Sequence, residues 1–432
     1  MIELASEIDS YLKRLFPVMR SITGPGNRKT LSVLSEIVPL ETKEYLSGTQ
    51  VYDWTIPDEW QVREAWIGDK DGNKLIDFQN CNIHLVGYSE PVHEWLTFDE
   101  LKEHLHFHND IPEAIPYITT YYNRNWGFCV NQSQYKRLSE YKGRLEVMID
   151  SDLNPKGSLT IGELIIPGRS KKEILISTYI CHPSLANDNL SGLLMTAFLA
   201  RELLKKDLQW SYRFIWIPET IGAIAYCSMN EAIIREIDTG LSVSTVGGPG
   251  KLGYKMSWQK DHYINRIIEK NFNEDEKEFV IYPFDIHGSD ERQFSSQGFR
   301  INMATVCKDR YYEYPYYHTS LDNLSYVNGK QIMETLKVYL GIIKKLDGRR
   351  VYRTVTTSCE IMLSKHGLYP KYGGTLKPNG DNFTNVDLRL WVLFYSDGKN
   401  SIDEIADILG VDVKLIEDEY IILEKKGIVI AV

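Results

Sequence analysis

The run Ile174-Leu175-Ile176-Ser177-Thr178-Tyr179-Ile180 constrains this 432-residue sequence more than any other segment. It is apolar and β-branched with no polar alternation, as expected of a strand buried on both faces. A strand buried twice requires helices on both sides of its sheet. The following residues supply that pattern: Ser191-Gly192 opens a helical run over 193–204, followed by strand 212–217, helix 221–234, strand 241–246 and helix 262–272. Strands 279–282 and 300–306 and helix 330–346 close the series. Strands joined through single helices imply right-handed crossovers. The expected fold class is therefore α/β, with a doubly wound, mostly parallel sheet. In such sheets, ligands bind beyond the carboxyl ends of the strands.

Two other textures flank this pattern. Residues 37–130 are rich in aromatics (Trp54, Trp60, Trp66, Trp95, Trp126) and in short alternating runs, and Asp71-Gly72-Asn73 is a hairpin signal. This predicts a small β-rich domain inserted into a core formed by 1–36 and 131–346. At the C-terminus, 386–432 has the rhythm of a winged-helix module. Ser401 opens a helix, Gly410 ends it, a second helix follows Val411, and Gly427-Ile428-Val429-Ile430 reads as a wing strand. Residues 347–385 are expected to connect the two, packed on the core.

Charge and cysteine usage narrow the partners. With 49 Lys+Arg against 59 Asp+Glu, the chain carries a net charge of −10, which gives no general attraction for phosphate backbones or anionic membranes. Residues 401–432 hold eight acidic residues and three basic ones, the wrong sign for a groove reader, so an intramolecular or protein contact is the expected role of that module. The six cysteines (81, 129, 181, 227, 307, 359) form no Cys-x-x-Cys pair, the pattern of reduced thiols in a cytosol. The opening MIELASEIDSYLKRLF is amphipathic and charged from Glu3 onward, unlike a secretory leader. No apolar run approaches the roughly 18 residues of a membrane helix. A cytoplasmic protein is expected, with no membrane or nucleic-acid partner, and assembly into a homo-oligomer is compatible with the composition.

Chemistry concentrates at the strand ends. The first long strand runs into Cys181-His182-Pro183-Ser184-Leu185-Ala186-Asn187-Asp188-Asn189-Leu190-Ser191-Gly192. Imidazole and carboxylate six residues apart read equally as half of a zinc site or as a helix cap beside a surface histidine. The next strand delivers Pro218-Glu219-Thr220-Ile221-Gly222, where Glu219 is either a general base or a carboxylate favoured by a helix dipole. Asp285 to Phe294 supplies Asp290 and Arg292, which would hold a substrate amine or carboxylate or else form an ordinary ion pair. Tyr316-Tyr317-His318-Thr319-Ser320-Leu321-Asp322 follows the last strand. His104-x-His106-x-His108 reads as surface or packing, since only His104 and His108 would share a helix face. Adjacent Cys181 and His182 are expected to point apart, as neighbours on a strand do, which excludes a Cys/His dyad.

In this order, His-Pro-Ser-x-x-Asn-Asp-Asn-x-Ser-Gly, Glu-x-x-Gly, Gly-Ser-Asp-x-x-x-Phe and Tyr-His-Thr-x-x-Asp resemble the zinc-dependent aminopeptidase superfamily over 150–346. More narrowly, the whole chain resembles a bacterial family that joins an aminopeptidase-like domain to an inserted domain of unknown function and a C-terminal winged helix. Trp126-Gly127-Phe128-Cys129 and the run from Cys181 to Gly192 carry that likeness. The resemblance implies that His182, Asp188 and His318 are zinc ligands. It also implies that Glu219 is the general base and that Tyr317 steadies the oxyanion. Two superfamily metal ligands have no counterpart: Thr220 stands where a second Glu follows the base, and Ser242-Val243-Ser244-Thr245 ends the strand where an Asp is usual. The expected cofactor is one zinc, two being the superfamily's number. The implied activity is that of a zinc metallopeptidase or amidohydrolase, cleaving an N-terminal amide of a peptide or aminoacyl conjugate. The competing expectation is a zinc-containing binding protein for peptides or modified sugars that has lost turnover.

Overall fold

The structure, a computed structural model, describes residues 2–310, 313–369 and 384–432. The chain divides into two compact units, Met1–Ile343 and Lys344–Val432.

The first unit is built on an eight-stranded sheet. Its strands are β1 (Glu41–Leu46), β2 (Ser158–Ile166), β3 (Glu173–Tyr179), β4 (Ser211–Ile217), β5 (Thr239–Val243), β6 (Leu252–Lys255), β7 (Phe279–Tyr282) and β8 (Asn302–Cys307). They lie in the order β1-β2-β4-β3-β5-β8-β6-β7. The central four, β4-β3-β5-β8, are mutually parallel, with Ile176 facing Phe214 on one side and Leu241 on the other. Helices α1 (Gly192–Leu203), α2 (Ile221–Met229), α3 (Tyr263–Glu274) and α4 (Gly329–Asp347) follow the strand ends anticipated from the sequence. Every residue of β4 is buried, and so is all of β3 after its first residue, as the unbroken apolar run requires.

Outside this parallel centre the sheet is mixed. β1 and β2 extend it antiparallel beyond β4, and β6 runs antiparallel to β8. The reason for β6 is length. Only eight residues separate Val243 from Leu252, too few for the crossover a parallel neighbour needs. Gly247, Gly248 and Gly250 sit there, and an added Cβ would meet Ser191, Val327 or Asp309 at under 3.0 Å. The expected helix over 221–234 is two helices, broken at Asn230 between α2 and Glu231–Ile234.

A second, four-stranded antiparallel sheet has the order Lys74–Asp77, Glu59–Gly68, Leu145–Asn154, Val92–Leu96. Its hairpin turns where Asp71-Gly72-Asn73 suggested: Asp69 Oδ1 accepts the amides of Asp71 and Asn73 at 2.9 Å, and Gly72 takes φ +82°. Sheet membership does not follow sequence blocks. Glu41–Leu46, within the aromatic segment, is the edge of the large sheet, and Leu145–Asn154 joins the small one. Residues of both sheets, from Trp60 and Ile67 to Leu175 and Ile217, share one continuous apolar core.

The second unit has a three-stranded sheet with Val351–Thr354 between Asp397–Ser401 and Val429–Ala431, and helices Asn385–Tyr395, Ile402–Leu409 and Val413–Lys425. Ser401 caps the middle helix in a reciprocal capping box with Glu404, and Gly410 ends it at φ +64°. The stretch read as a connector thus supplies this sheet's central strand. Its residues 370–383 lie outside the described residues. Among the described residues, no helix is long and apolar enough to cross a membrane.

Candidate functional site

Four loops converge beyond the carboxyl ends of β3 and β4. The chain leaves β3 at Tyr179, and His182 sits three residues on, its carbonyl held by Arg20 Nε at 2.9 Å. Arg20 itself is buried and also donates to the Leu15 carbonyl at 2.7 Å, tying the start of the chain to this corner.

The polar segment 186–191 is fully buried, and its side chains do not cap α1; they stitch the strand ends together. Asn189 Nδ2 donates to Thr178 Oγ1 at 2.9 Å and to the Tyr179 carbonyl at 3.1 Å, while Asn187 Oδ1 accepts from the Gly247 amide at 2.9 Å. The Asp322 carboxylate accepts the amides of Asn187 (2.6 Å) and Asp188 (2.9 Å) and the Tyr314 hydroxyl (3.1 Å). Asp322, present in the sequence as the last letter of the Tyr-His-Thr-x-x-Asp motif, thus fixes the backbone on which Asp188 rides.

His182, Asp188 and His318 are brought together, with one ligand-type atom of each within 4.8 Å of the others. His318 Nε2 lies 3.0 Å from Asp188 Oδ2, yet it is buried and has no hydrogen-bond partner. The His182 and His318 rings are 5.4 Å apart, and Tyr317 stacks on His318 at 3.9 Å. Tyr179 donates its hydroxyl to Asp188 Oδ1. An imidazole ligates in its neutral form, and two imidazole nitrogens with a carboxylate oxygen around one point form the three-ligand set a catalytic Zn²⁺ takes. The orphaned His318 nitrogen is what a site shaped for a cation leaves behind when drawn without one.

The electrostatics favour that form for His182. Burial pushes the His182 imidazole down to about 4, against the pull of Asp188, so the ring is neutral at pH 7. Burial alone would raise the Asp188 carboxyl, but the nearby imidazoles of His182 and His318 and the bond from the Tyr179 hydroxyl outweigh it and bring it to about 2. A neutral imidazole beside an ionised carboxylate needs no proton released before a metal enters.

Glu219 leaves β4 pointing into the same space, its Oε2 3.9 Å from His182 Nε2. Loss of hydration raises its carboxyl to about 7, and the charge of Asp188 adds to the rise. Its amide donates to Cys181 Sγ at 3.3 Å, and that sulfur lies 3.3 Å from His182 Nδ1. The expectation that Cys181 and His182 point apart is therefore corrected. Both residues lie past the end of β3, where strand alternation no longer applies. Cys181, His182 and Glu219 make a second group of potential ligand atoms within 4.8 Å.

Tyr179, His182, Asp188, Glu219 and Tyr317 line a cavity of about 230 Å³, completed by His287, Gly288, Ser289 and Arg292. Asp290 and Arg292 part company here. Asp290 is buried off the cavity wall, where its Oδ1 accepts the Thr220 amide at 2.7 Å, and burial with Glu219 nearby raises its carboxyl well above the ordinary range. Arg292 lies on the wall. Ser244 and Thr245, at the strand end where a ligand Asp is usual, are buried with unpartnered hydroxyls. His104, His106 and His108 do not converge: His104 stacks on Trp126 at 3.7 Å, and His108 Nδ1 accepts the amides of Asp110 and Ile111.

Sequence reasoning looked to the aromatic module for a part of the site's rim but singled out none of its residues. The Tyr117 ring lies 5.2 Å from both His182 and His318. The segment 115–117 runs beside the His318 loop, with Tyr117 N donating to His318 O at 2.8 Å and Ser320 N to Ile115 O at 2.9 Å. Nothing in Ile115-Pro116-Tyr117 signals this, because the pairing is 200 residues distant in the chain.

A family model described as "Domain of unknown function (DUF4910)" matches residues 9–349, and one described as a winged helix-turn-helix matches 350–431. A protein of Clostridium acetobutylicum is 41% identical over 415 residues, covering 96% of this chain and 94% of its own; its name proposes a polysaccharide biosynthesis protein with an aminopeptidase-like domain. A crystal structure from the same species, whose name proposes a peptidase, shares 39% identity and a TM-score of 0.81, covering 100% of this chain and 97% of its own. A zinc aminopeptidase from Bacillus subtilis shares the fold at a TM-score of 0.56 and 12% identity, over 79% of this chain and 95% of its own. The mixed α/β sheet with its aminopeptidase-like fold, followed by a winged helix, is thus a shared architecture, and the chain belongs to the DUF4910 family.

Proposed function

We propose that this protein is a single-zinc hydrolase that cleaves an amide bond, most simply the one joining an N-terminal aminoacyl group to a peptide or small conjugate. The observation that carries the reading is the meeting of His182, Asp188 and His318, donor atoms within 4.8 Å of one another and one imidazole nitrogen orphaned, beside a carboxyl tuned to about 7. His182, Asp188 and His318 would hold the zinc. Bound there, the ion would polarise the scissile carbonyl and acidify water.

The chain's own groups supply the rest. Glu219, ionised in half the molecules near neutral pH, takes a proton from the attacking water and returns it to the leaving nitrogen. A C–O bond forms and the C–N bond breaks, giving a carboxylate and an amine. Tyr317, stacked on His318 in the cavity wall, would steady the developing oxyanion. Tyr179 helps keep Asp188 ionised, and Asp322 holds its backbone in place. Arg292 contacts the substrate; Asp290, fastened to Thr220, positions the turn that carries Glu219.

The second reading is a zinc-containing binding protein without turnover, favoured by Thr220, Ser244 and Thr245 where the superfamily carries ligands. Zinc-loaded protein and its Glu219→Gln variant, compared on a panel of aminoacyl amides, separate the two. Hydrolysis that the substitution lowers by about 100-fold or more supports the hydrolase. Bound zinc with no hydrolysis sensitive to Glu219 leaves the binding protein. The winged helix takes a protein-contact role in either reading: helix Val413–Lys425 exposes Leu415, Asp418, Ile421, Ile422 and Glu424.

A further inference from the structure

The cavity has an unusual lining for a ligand site. Pockets of this kind are mostly apolar, with a few placed polar groups. Here, among the described residues, no Leu, Ile, Val, Met or Phe side chain reaches the wall. At about 230 Å³ there is room for a small ligand and no greasy subsite for a large aliphatic side chain.

The polar groups fall into two sets. One is the cluster of His182, Asp188, Glu219, Tyr179 and Tyr317. The other lies on the segment 287–292, where His287, Ser289 and Arg292 line the wall. Ser289 is 3% exposed, and its hydroxyl makes no close hydrogen bond but faces the Glu219 carboxyl, whose charge it favours. Arg292 makes a single weak side-chain contact, Nη2 to Thr220 Oγ1 at 3.5 Å, and among the described residues no carboxylate lies within ion-pairing distance of it. Its neighbours are otherwise engaged: Asp290 by the Thr220 amide, and Glu291 by Lys255 at 2.9 Å and by the Ser289 amide at 3.1 Å. Lys255, the other cation of this corner, is buried against Glu291 and Asp285. The segment thus keeps its acids off the cavity wall and presents to it the Arg292 guanidinium and the buried Ser289 hydroxyl, beside His287. Both are donors, and the guanidinium's fork matches a carboxylate or phosphate.

We propose that the substrate carries an anionic oxygen group, a carboxylate or a phosphate, bound by Arg292 and the Ser289 hydroxyl. This rests on the hydrolase reading for the word substrate, though the anion subsite itself is independent of turnover. It narrows the substrate class to short acidic conjugates, such as a dipeptide with a free carboxylate or an aminoacyl amino-sugar phosphate, and excludes long neutral peptides.

The test is binding to the zinc-loaded Glu219→Gln variant by titration calorimetry, in matched pairs. L-alanyl-L-alanine is compared with L-alanyl-L-alaninamide, and N-alanyl-glucosamine with its 6-phosphate. At least one anionic member is expected to bind about 10- to 100-fold tighter than its neutral partner, the range of a charge-assisted hydrogen bond. Which pair shows the gap identifies the anion. Adding Arg292→Met is expected to erase the gap while leaving the neutral member within about twofold, and Arg292→Lys is expected to keep part of it. Equal binding within both pairs, no measurable binding of any probe, or a gap that survives Arg292→Met overturns the subsite. Wild-type turnover is scored separately. Cleavage without anion preference sinks the subsite and spares the hydrolase; anion-selective binding without cleavage does the reverse.

Discussion

Replacing Glu219 by Gln removes a charge that the fold disfavours, and the gain can be worked out in advance. The folded carboxyl stands at about 7 against an ordinary 4.5, first because burial strips its hydration and next because Asp188 is negative. An acid with a raised folded value holds its proton more tightly in the folded state. The metal-free fold therefore loses stability as pH rises from about 4.5 through about 7 and regains it on acidification. At 1.36 kcal/mol per unit, the gap of about 2.5 units amounts to about 3 kcal/mol above pH 7. The side chain keeps 29% exposure, so water screening brings the expected figure to about 1–3 kcal/mol. Gln has nothing to titrate. Metal-free Glu219→Gln is expected to exceed wild type by about 1–3 kcal/mol at pH 8, the advantage shrinking below about 1 kcal/mol at pH 5. Urea unfolding with chelator present, followed by tryptophan fluorescence, measures this where it matters, since eight of the nine tryptophans precede residue 344. A variant no more stable than wild type at pH 8, or equally favoured at both pH values, would refute the reasoning that Glu219 is held against its own charge.

Three further outcomes follow from the same geometry. Asp322→Ala strips the acceptor from two buried amides and a tyrosine hydroxyl, and is expected to cost about 3–5 kcal/mol in thermal unfolding and about 10- to 100-fold in zinc affinity by chelator competition. Unchanged zinc affinity would show that the Asp188 backbone needs no such anchor. Lys255→Met leaves Glu291, 1% exposed, without its cation and is expected to destabilise by about 3–5 kcal/mol, with Glu291→Gln in the same chain restoring at least half. Tyr317→Phe is expected to lower kcat by about 100-fold on aminoacyl substrates while KM stays within about twofold; a loss confined to KM would move Tyr317 from oxyanion stabilisation to ground-state binding.

The sequence and the structure agree wherever one local pattern sufficed. The seven-residue apolar run is β3, the capping signals at Ser401 and Gly410 mark real helix ends, and His182, Asp188, Glu219 and His318 fall at strand ends that the topology brings to one edge. Legibility ended where structure depends on distant partners. β1 and β6 are short and carry no strong period; they are strands because β2 and β8 offer them an edge. Asp290 and Arg292, two residues apart, looked equivalent, and only the direction of the turn after Gly288 buries one and leaves the other at the cavity. Tyr117 was invisible for the same reason: its relation to His318 is made by backbone bonds across 200 residues, which no spacing rule encodes.

The central claim is that one zinc sits on His182, Asp188 and His318. Anomalous diffraction at the zinc edge, from crystals grown with the metal, tests it most directly. The account predicts a single peak per chain at about 2 Å from one nitrogen of each histidine and one oxygen of Asp188. Two peaks, a peak centred on Cys181 and Glu219 instead, or none at the site would contradict it.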